Sequence, residues 1–180
     1  SEDHENILSI EQAARRGSEL VEQLMDLSRR EPARTEPVSL NRVVEDSVNL
    51  LRRTLPPGIE IVTHLAPHLR DVSGDAGRLP PVLMNLGLNA RQAMGDTGTL
   101  TVTTENLPVH GGSPFDNGGP AVRLTVADTG GGIPPAEQQR IFEPFVTTKA
   151  DEGGTGLGLS TAYAIVHRHG GEITVDSAPG

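Results

Sequence analysis

The stretch GGTGLGLS occupies residues 153–160, with Gly153, Gly154, Gly156 and Gly158 crowded into eight positions. It leads into LGLSTAYAIVHRHGG, whose apolar spacing predicts a helix stopped by Gly170 and Gly171. Glycine loses more chain entropy on folding than any other residue, so this density needs a reason. A loop that hugs phosphates is one reason, because free N–H groups and the dipole at a helix N-terminus favour anions. A plain flexible linker is another. The stretch is not a Walker A loop, which needs Gly-x-x-x-x-Gly-Lys-Ser/Thr. Nor is it a dinucleotide fingerprint, since the glycine spacing fails and no strand precedes it. What precedes it is TTKADEGG, residues 147–154, which reads as flexible.

Working outward, IFEPFVTTK (141–149) overlaps a short helix expected over PPAEQQRIF (134–142), with proline in its first turn. Before that, VADTGGGIP (126–134) reads as a strand ending at Asp128 and turning through Gly130, Gly131 and Gly132. A carboxylate there could accept a hydrogen bond from a ligand amine. An Asx-turn explains the same pattern, and taken alone is the commoner case. In MNLGLNARQAM (84–94), Asn85 and Asn89 stand four apart, on one face of a helix expected to become regular near Pro80 and Pro81. Buried carboxamides need partners, and an Asn oxygen can ligate Mg²⁺. The helix by itself equally suits ordinary inter-element hydrogen bonding.

The remaining elements follow from period and punctuation. Ser39 is placed as the N-cap of a helix over LNRVVEDSVNLLRRTL, ended by Pro56, Pro57 and Gly58. IEIVTHL (59–65), TLTVTTENL (99–107), AVRLTVAD (121–128) and EITVDS (172–177) read as strands. PVHGGSPFDNGGP (108–120) reads as a mobile hairpin loop. Upstream, Ile7, Ile10, Ala14, Gly17, Val21 and Leu24 form an a/d seam on a long helix, and Pro32 ends it. The expected class is α+β: a two-layer sandwich of a mixed, mainly antiparallel sheet with helices on one face, preceded by the long N-terminal helix. The expected organisation is helix 1–30, linker 31–38 and domain 39–180.

Composition narrows the function. A net charge of −9, no basic run and few aromatics argue against a nucleic-acid surface. The absence of cysteine excludes disulfides and Cys-ligated zinc, and fits a cytoplasmic protein. An acidic chain that holds a polyphosphate needs a divalent metal, backbone N–H groups or local cations.

The order of the patterns is more specific than any one of them. The chain offers Asn-x-x-x-Asn-Ala, then Asp-x-Gly-x-Gly-Ile, then IFEPFVTTK, then Gly-Thr-Gly-Leu-Gly-Leu-Ser. This resembles the ATP-binding catalytic domain of bacterial sensor histidine kinases, with its N, G1, F and G2 boxes. The resemblance covers residues 39–180, and residues 1–30 resemble the second helix of the dimerisation hairpin that precedes such domains. It implies binding of Mg²⁺ and ATP and transfer of the γ-phosphate to a histidine, for relay to a response-regulator aspartate. Asn89 would coordinate Mg²⁺ and Asn85 would line the phosphate side. Asp128 would bind the adenine amine, with Gly130, Gly132 and Ile133 shaping that wall. Thr155, Gly156, Leu157, Gly158 and Leu159 would wrap the phosphates at the hinge of a lid, Lys149 would reach the γ-phosphate, and Phe142 and Phe145 would anchor the lid. Partners implied are the histidine-bearing hairpin, a response-regulator receiver domain and a second subunit.

Two departures from the pattern bear on the chemistry. His4-Glu5 superficially resembles the phosphoacceptor box, but only one long helix follows it, so His4 is rejected as the acceptor. His64, His68, His110, His167 and His169 are expected on strand, loop and helix surfaces. The acceptor is therefore expected outside this chain, which reads as beginning inside the hairpin and as stopping at SAPG, one strand short of the family pattern. Hydrolytic members of the wider superfamily carry a glutamate base where this chain has Asn85, which cannot accept a proton. An ATPase of that superfamily and a non-catalytic nucleotide- or partner-binding module are the alternatives.

Overall fold

Residues 40–54 carry apolar side chains in steps of three and four, which puts them on one helical stripe. In the computed structural model, which describes residues 35–108, 120–147 and 155–179, they form helix α1 (Leu40–Thr54). Its buried stripe is Leu40, Val43, Val44, Ser47, Val48 and Leu51. Ser39 occupies the N-cap position through its backbone, the carbonyl accepting Val43 N–H at 3.3 Å, but its side chain makes no capping bond. The expected helix over 1–30, the loop tip at 109–119 and Lys149 lie outside the described residues.

The chain order is β1 (Glu36–Val38), α1, β2 (Gly58–Leu65), β3 (Val72–Gly74), α2 (Pro80–Met94), β4 (Thr97–Leu107), β5 (Ala121–Asp128), α3 (Pro135–Gln138) and α4 (Gly158–Arg168). The main sheet runs β2-β4-β5. β2 lies parallel to β4, from Gly58 opposite Thr97 to Leu65 opposite Thr104, with α2 in the crossover. β4 and β5 are antiparallel, from Leu100 opposite Asp128 to Leu107 opposite Ala121. The class is α+β with a mixed sheet, as expected.

Two elements differ from the sequence expectation. Residues 36–38, assigned to a linker, pair antiparallel with residues 72–74 in a separate two-stranded ribbon. Three-residue strands are too short to show alternation, and Pro37 reads as a breaker although edge strands tolerate proline. Conversely, residues 172–177 keep an alternation of half-buried and exposed side chains but join no sheet. Their end is held by side chains instead: Ile133 N–H donates to Ser177 Oγ at 2.9 Å, and Gln138 Nε2 donates to the Ser177 carbonyl at 2.7 Å. Alternation reports which side chains turn inward, not whether the backbone finds a ladder.

The core lies between the sheet and the helices. Ile59, Ile61, Leu100 and Val102 meet Val44, Val48, Leu51, Leu83 and Ala90. Helices α1 and α2 approach closely at Gly87, where a Cβ would stand 2.7 Å from Leu51 Cδ2. Helix α4 packs on α2 through a second cluster of Val82, Ala162 and Ile165. A closed polar triangle ties α1 to the sheet. Asn41 Nδ2 donates to the Ala66 carbonyl at 2.8 Å, Thr104 Oγ1 donates to Asn41 Oδ1 at 2.8 Å, and Ala66 N–H donates to Thr104 Oγ1 at 3.1 Å. Each member is satisfied, so burying it carries no unpaired-group penalty.

Candidate functional site

Helix α2 begins on two prolines, whose missing N–H groups have no intrahelical partner in the first turn, and ends at Gly95 with φ of 75°. One face carries Asn85 and Asn89, both half-buried. The first residue of α4, Gly158, stands opposite them. A Cβ there would lie 3.5 Å from Asn85 Oδ1 and 3.6 Å from Asn89 Nδ2. The start of a helix, with N–H groups that lack a carbonyl one turn back, is thereby brought onto two carboxamides. Asn89 Nδ2 is buried and has no hydrogen-bond partner among the described residues.

Leu157, fully buried, anchors this turn, and its carbonyl accepts Thr161 N–H at 2.9 Å and Ser160 Oγ–H at 2.9 Å. Leu159 follows on the first turn, half-buried, and Thr155 is exposed, with its hydroxyl 3.4 Å from Leu157 N. Gly156 adopts φ of 66°, and a Cβ there would stand 2.5 Å from the Phe145 carbonyl carbon. Its own carbonyl accepts Phe145 N–H at 3.0 Å. Phe145 is itself left-handed, with φ of 66°, and 62% exposed. Phe142 packs on Tyr163 with ring centroids 5.3 Å apart, and Tyr163 on His167 at 4.2 Å. The IFEPF segment is therefore attached both to the glycine turn and to the outer face of α4.

Asp128 ends β5, exposed, and its Oδ1 accepts Gly130 N–H at 2.8 Å. That is the Asx-turn that the sequence offered as the plain alternative; a carboxylate that accepts one turn bond still has a second oxygen. The turn rests on the end of α2, where Gly131 N–H reaches the Ala93 carbonyl at 3.5 Å, one helical turn beyond Asn89. Gly132, with φ of 72°, leaves no room for a Cβ beneath the Ala178 carbonyl oxygen. Gln138 Nε2 donates to the Ile133 carbonyl at 2.8 Å, which closes the wall. The structure thus brings Asn85, Asn89, Gly158 and Leu157 together at the α2–α4 contact and seats Asp128, Gly130, Gly132 and Ile133 at the far end of α2.

Sequence reasoning missed three side chains that shape this region. Gln138 and Ser177 fix the turn after Asp128. His169, expected on a surface, is half-buried: its Nε2 accepts Asp75 N–H at 3.0 Å and its Nδ1 lies 2.7 Å from the Ile165 carbonyl. No local sequence signal could have found it, because the partners are 94 residues apart.

Among the described residues, no group of three or more His, Cys, Asp or Glu side chains could hold a metal ion. A Mg²⁺ ion needs no such cage, since it keeps several waters and takes one or two protein oxygens together with phosphate oxygens. The Asn89 carboxamide offers one oxygen of the kind Mg²⁺ takes, while its buried Nδ2 has no hydrogen-bond partner among the described residues. The start of α4, the two carboxamides of α2 and the exposed carboxylate that ends β5 are thus arrayed along one helix, α2.

A family model described as histidine kinase-, DNA gyrase B- and HSP90-like ATPase matches residues 74–180, which hold all of these groups. The chain belongs to this family. Its similarity extends to the sensor kinase CckA of Brucella abortus (strain 2308), at 39% identity over 179 residues, or 97% of this chain and 19% of that protein. Among solved structures, the mycobacterial sensor histidine kinase MprB aligns at a TM-score of 0.61 and 29% identity, over 76% of this chain and 80% of that one. Full-length ShkA in complex with AMPPNP aligns at a TM-score of 0.73 and 25% identity, over 93% of this chain and 34% of that one. The chain spans about a fifth of the CckA relative (19%), so the similarity is that of a domain within a longer kinase. The match is to an ATP-binding domain of the sensor-kinase kind. No helix among the described residues is long and apolar enough to cross a membrane.

Proposed function

We propose that this chain is the ATP-binding, phosphoryl-donating domain of a two-component sensor histidine kinase. The observation that carries the reading is the Asn89 carboxamide opposite Gly158 at the start of α4, with its Nδ2 buried and unpartnered among the described residues. A buried amide without a partner destabilises the fold unless something else uses it.

In this reading Asn89 holds Mg²⁺ and Asn85 lines the phosphate side. Mg²⁺, when bound, neutralises charge on the phosphate oxygens. The residues Thr155, Gly156, Leu157, Gly158 and Leu159 wrap the phosphates with backbone N–H groups at the start of α4. Lys149 adds a cation towards the γ-phosphate. Asp128 accepts the adenine amine, and Gly130, Gly132 and Ile133 keep that wall open to a flat ring. Phosphoryl transfer of this kind needs positioning and electrostatics more than covalent chemistry. The acceptor is a histidine on a hairpin helix of the same kinase, and the phosphoryl group passes on to a response-regulator aspartate. The kinase works as a homodimer with this domain in the cytoplasm, where ATP is supplied.

Calorimetry with ADP, with and without Mg²⁺, tests the assignment. The parent chain should bind, more tightly with Mg²⁺. Asp128→Asn should weaken binding about tenfold or more, equivalent to roughly 1.4 kcal/mol. Asn89→Ala should remove mainly the Mg²⁺-dependent part. If both variants bind like the parent, the site has been assigned wrongly.

A further inference from the structure

β5 ends on Asp128, whose partner in the ladder is Leu100. One position further on, a side chain takes over from the strand pairing. Thr99 N–H donates to Thr129 Oγ1 at 3.0 Å, and the same hydroxyl donates to Met94 Sδ at 3.7 Å. Thr129 thereby ties the turn after β5 to the backbone of β4 and to the last residue of α2. Met94 packs against the main core, so this link has a fixed end. Gly98 makes room for it: a Cβ there would stand 2.5 Å from Met94 Sδ and 2.9 Å from Thr129 Oγ1. A hydroxyl can accept one bond while it donates another, as this position requires. Thr129 is itself exposed, so the core does not depend on its side chain.

Asp128 takes its direction from this turn. Its side chain is exposed, and its Oδ1 accepts Gly130 N–H at 2.8 Å. The carboxylate therefore points where the backbone of residues 128–130 points it, and the second oxygen follows. The contacts of that backbone with α2 are less directional. A Cβ on Gly130 would stand 2.6 Å from Ala93 Cβ, and Gly131 N–H reaches the Ala93 carbonyl at 3.5 Å. These set how closely the turn lies on α2. The shorter bond through Thr129 sets its orientation against β4, because hydrogen bonds weaken steeply when bent.

We infer that Thr129 is a positioning residue for Asp128: its hydroxyl, held between Thr99 N–H and Met94 Sδ, fixes the turn so that the free Asp128 oxygen faces the amine of an adenine ring. Thr129 then contributes to the choice of base without touching the nucleotide. The inference rests on the reading of Asp128 as the acceptor for that amine.

The test compares ADP with purine-riboside diphosphate, which carries hydrogen in place of the exocyclic amine. Calorimetry on the 180-residue chain with Mg²⁺ gives the ratio of the two affinities. A site built to bind an N–H discriminates against the analogue that lacks it, so the parent should prefer ADP about tenfold or more. Thr129→Val keeps the shape and removes the hydroxyl. Its preference for ADP should fall about threefold or more, with affinity for purine-riboside diphosphate and the Mg²⁺-dependent gain unchanged. Thr129→Ser should keep the parent's preference. Added to Asp128→Ala, Thr129→Val should change the preference no further, because the two residues act as one unit. A smaller fall in Thr129→Val, an equal fall in Thr129→Ser, equal weakening of both diphosphates, or a further fall in the Asp128→Ala background would each overturn the inference and leave the site reading intact. A parent that binds both diphosphates equally would overturn the reading of Asp128 and this inference with it.

Discussion

Gly156 and Gly158 are two residues apart and look equivalent in the sequence, yet they act for different reasons. Gly156 is needed for its backbone: φ is 66°, and any Cβ would run into the main chain of Phe145. An L side chain in that conformation costs roughly 1–2 kcal/mol before the clash is added. Gly158 has an ordinary helical setting, and a Cβ there would make normal contacts with Asn85 and Asn89. On the proposed reading, it is needed for the phosphates that would come between those amides and the helix start. Gly156→Ala should therefore lower the melting temperature by several degrees and loosen the Phe145 contact. Gly158→Ala should melt within a degree or two of the parent, or above it, and bind Mg²⁺–ADP at least tenfold more weakly. Unfolding curves and calorimetry on the two variants check this; a Gly158→Ala protein that binds normally would contradict the geometry. The glycine density was legible in the sequence, but the division of labour was not, because it depends on Phe145 and Asn89, which come from other elements.

At the scale of elements, α4 is held at both ends. Its first turn is fixed by Leu157 in the core and its last by His169. The His169 ring reads chemically in one way. Asp75 N–H can only donate, so Nε2 accepts, and Nδ1 must carry the proton that goes to the Ile165 carbonyl. His169→Ala should cost about 1–3 kcal/mol, because it strands the Asp75 N–H and frees the end of α4 from the segment that enters α2. Imidazole nitrogen NMR should report the Nδ1–H tautomer for His169 in the neutral ring. An Nε2–H tautomer, or a variant as stable as the parent, would show that the latch does not exist. Gly87 belongs to the same scale: it lets Leu51 of α1 press onto α2, so the two helices that cover the sheet also set the height of the Asn pair. Long elements with clean periods were readable from the sequence, as α1, α2, α4, β4 and β5 show. What escaped had either too few residues to show a period, as β1 and β3, or a period without a partner, as residues 172–177.

At the scale of the molecule, the site is assembled from distant parts of the chain, and the order of its motifs carried more information than their contents. Asn85-x-x-x-Asn89, Asp128-x-Gly130 and the run from Thr155 to Leu159 each have a plain structural explanation, and the Asx-turn at Asp128 is in fact present. Their convergence on the two ends of α2 is a tertiary fact. The same convergence bears on what becomes of the γ-phosphate. Hydrolysis needs a group that takes a proton from water, and Asn85, one helical turn before Asn89 on α2, has a carboxamide that cannot. The described face of α4 supplies Gly158, Ser160 and Thr161, none of which is basic at neutral pH. On the proposed reading, a nucleotide site with no water-activating group among the described residues of α2 and α4 would keep the phosphoryl group for a nucleophile brought from elsewhere. Incubation of the chain with γ-labelled ATP and Mg²⁺ should therefore release little phosphate, and adding a hairpin that carries the acceptor histidine should produce acid-labile label on that hairpin. Asn89→Ala should abolish the transfer. Steady phosphate release by the parent chain alone, lost in Asn89→Ala, would instead make it an ATPase. Acid-labile label on the chain itself, lost in His4→Ala, would return His4 to the role denied it from the sequence.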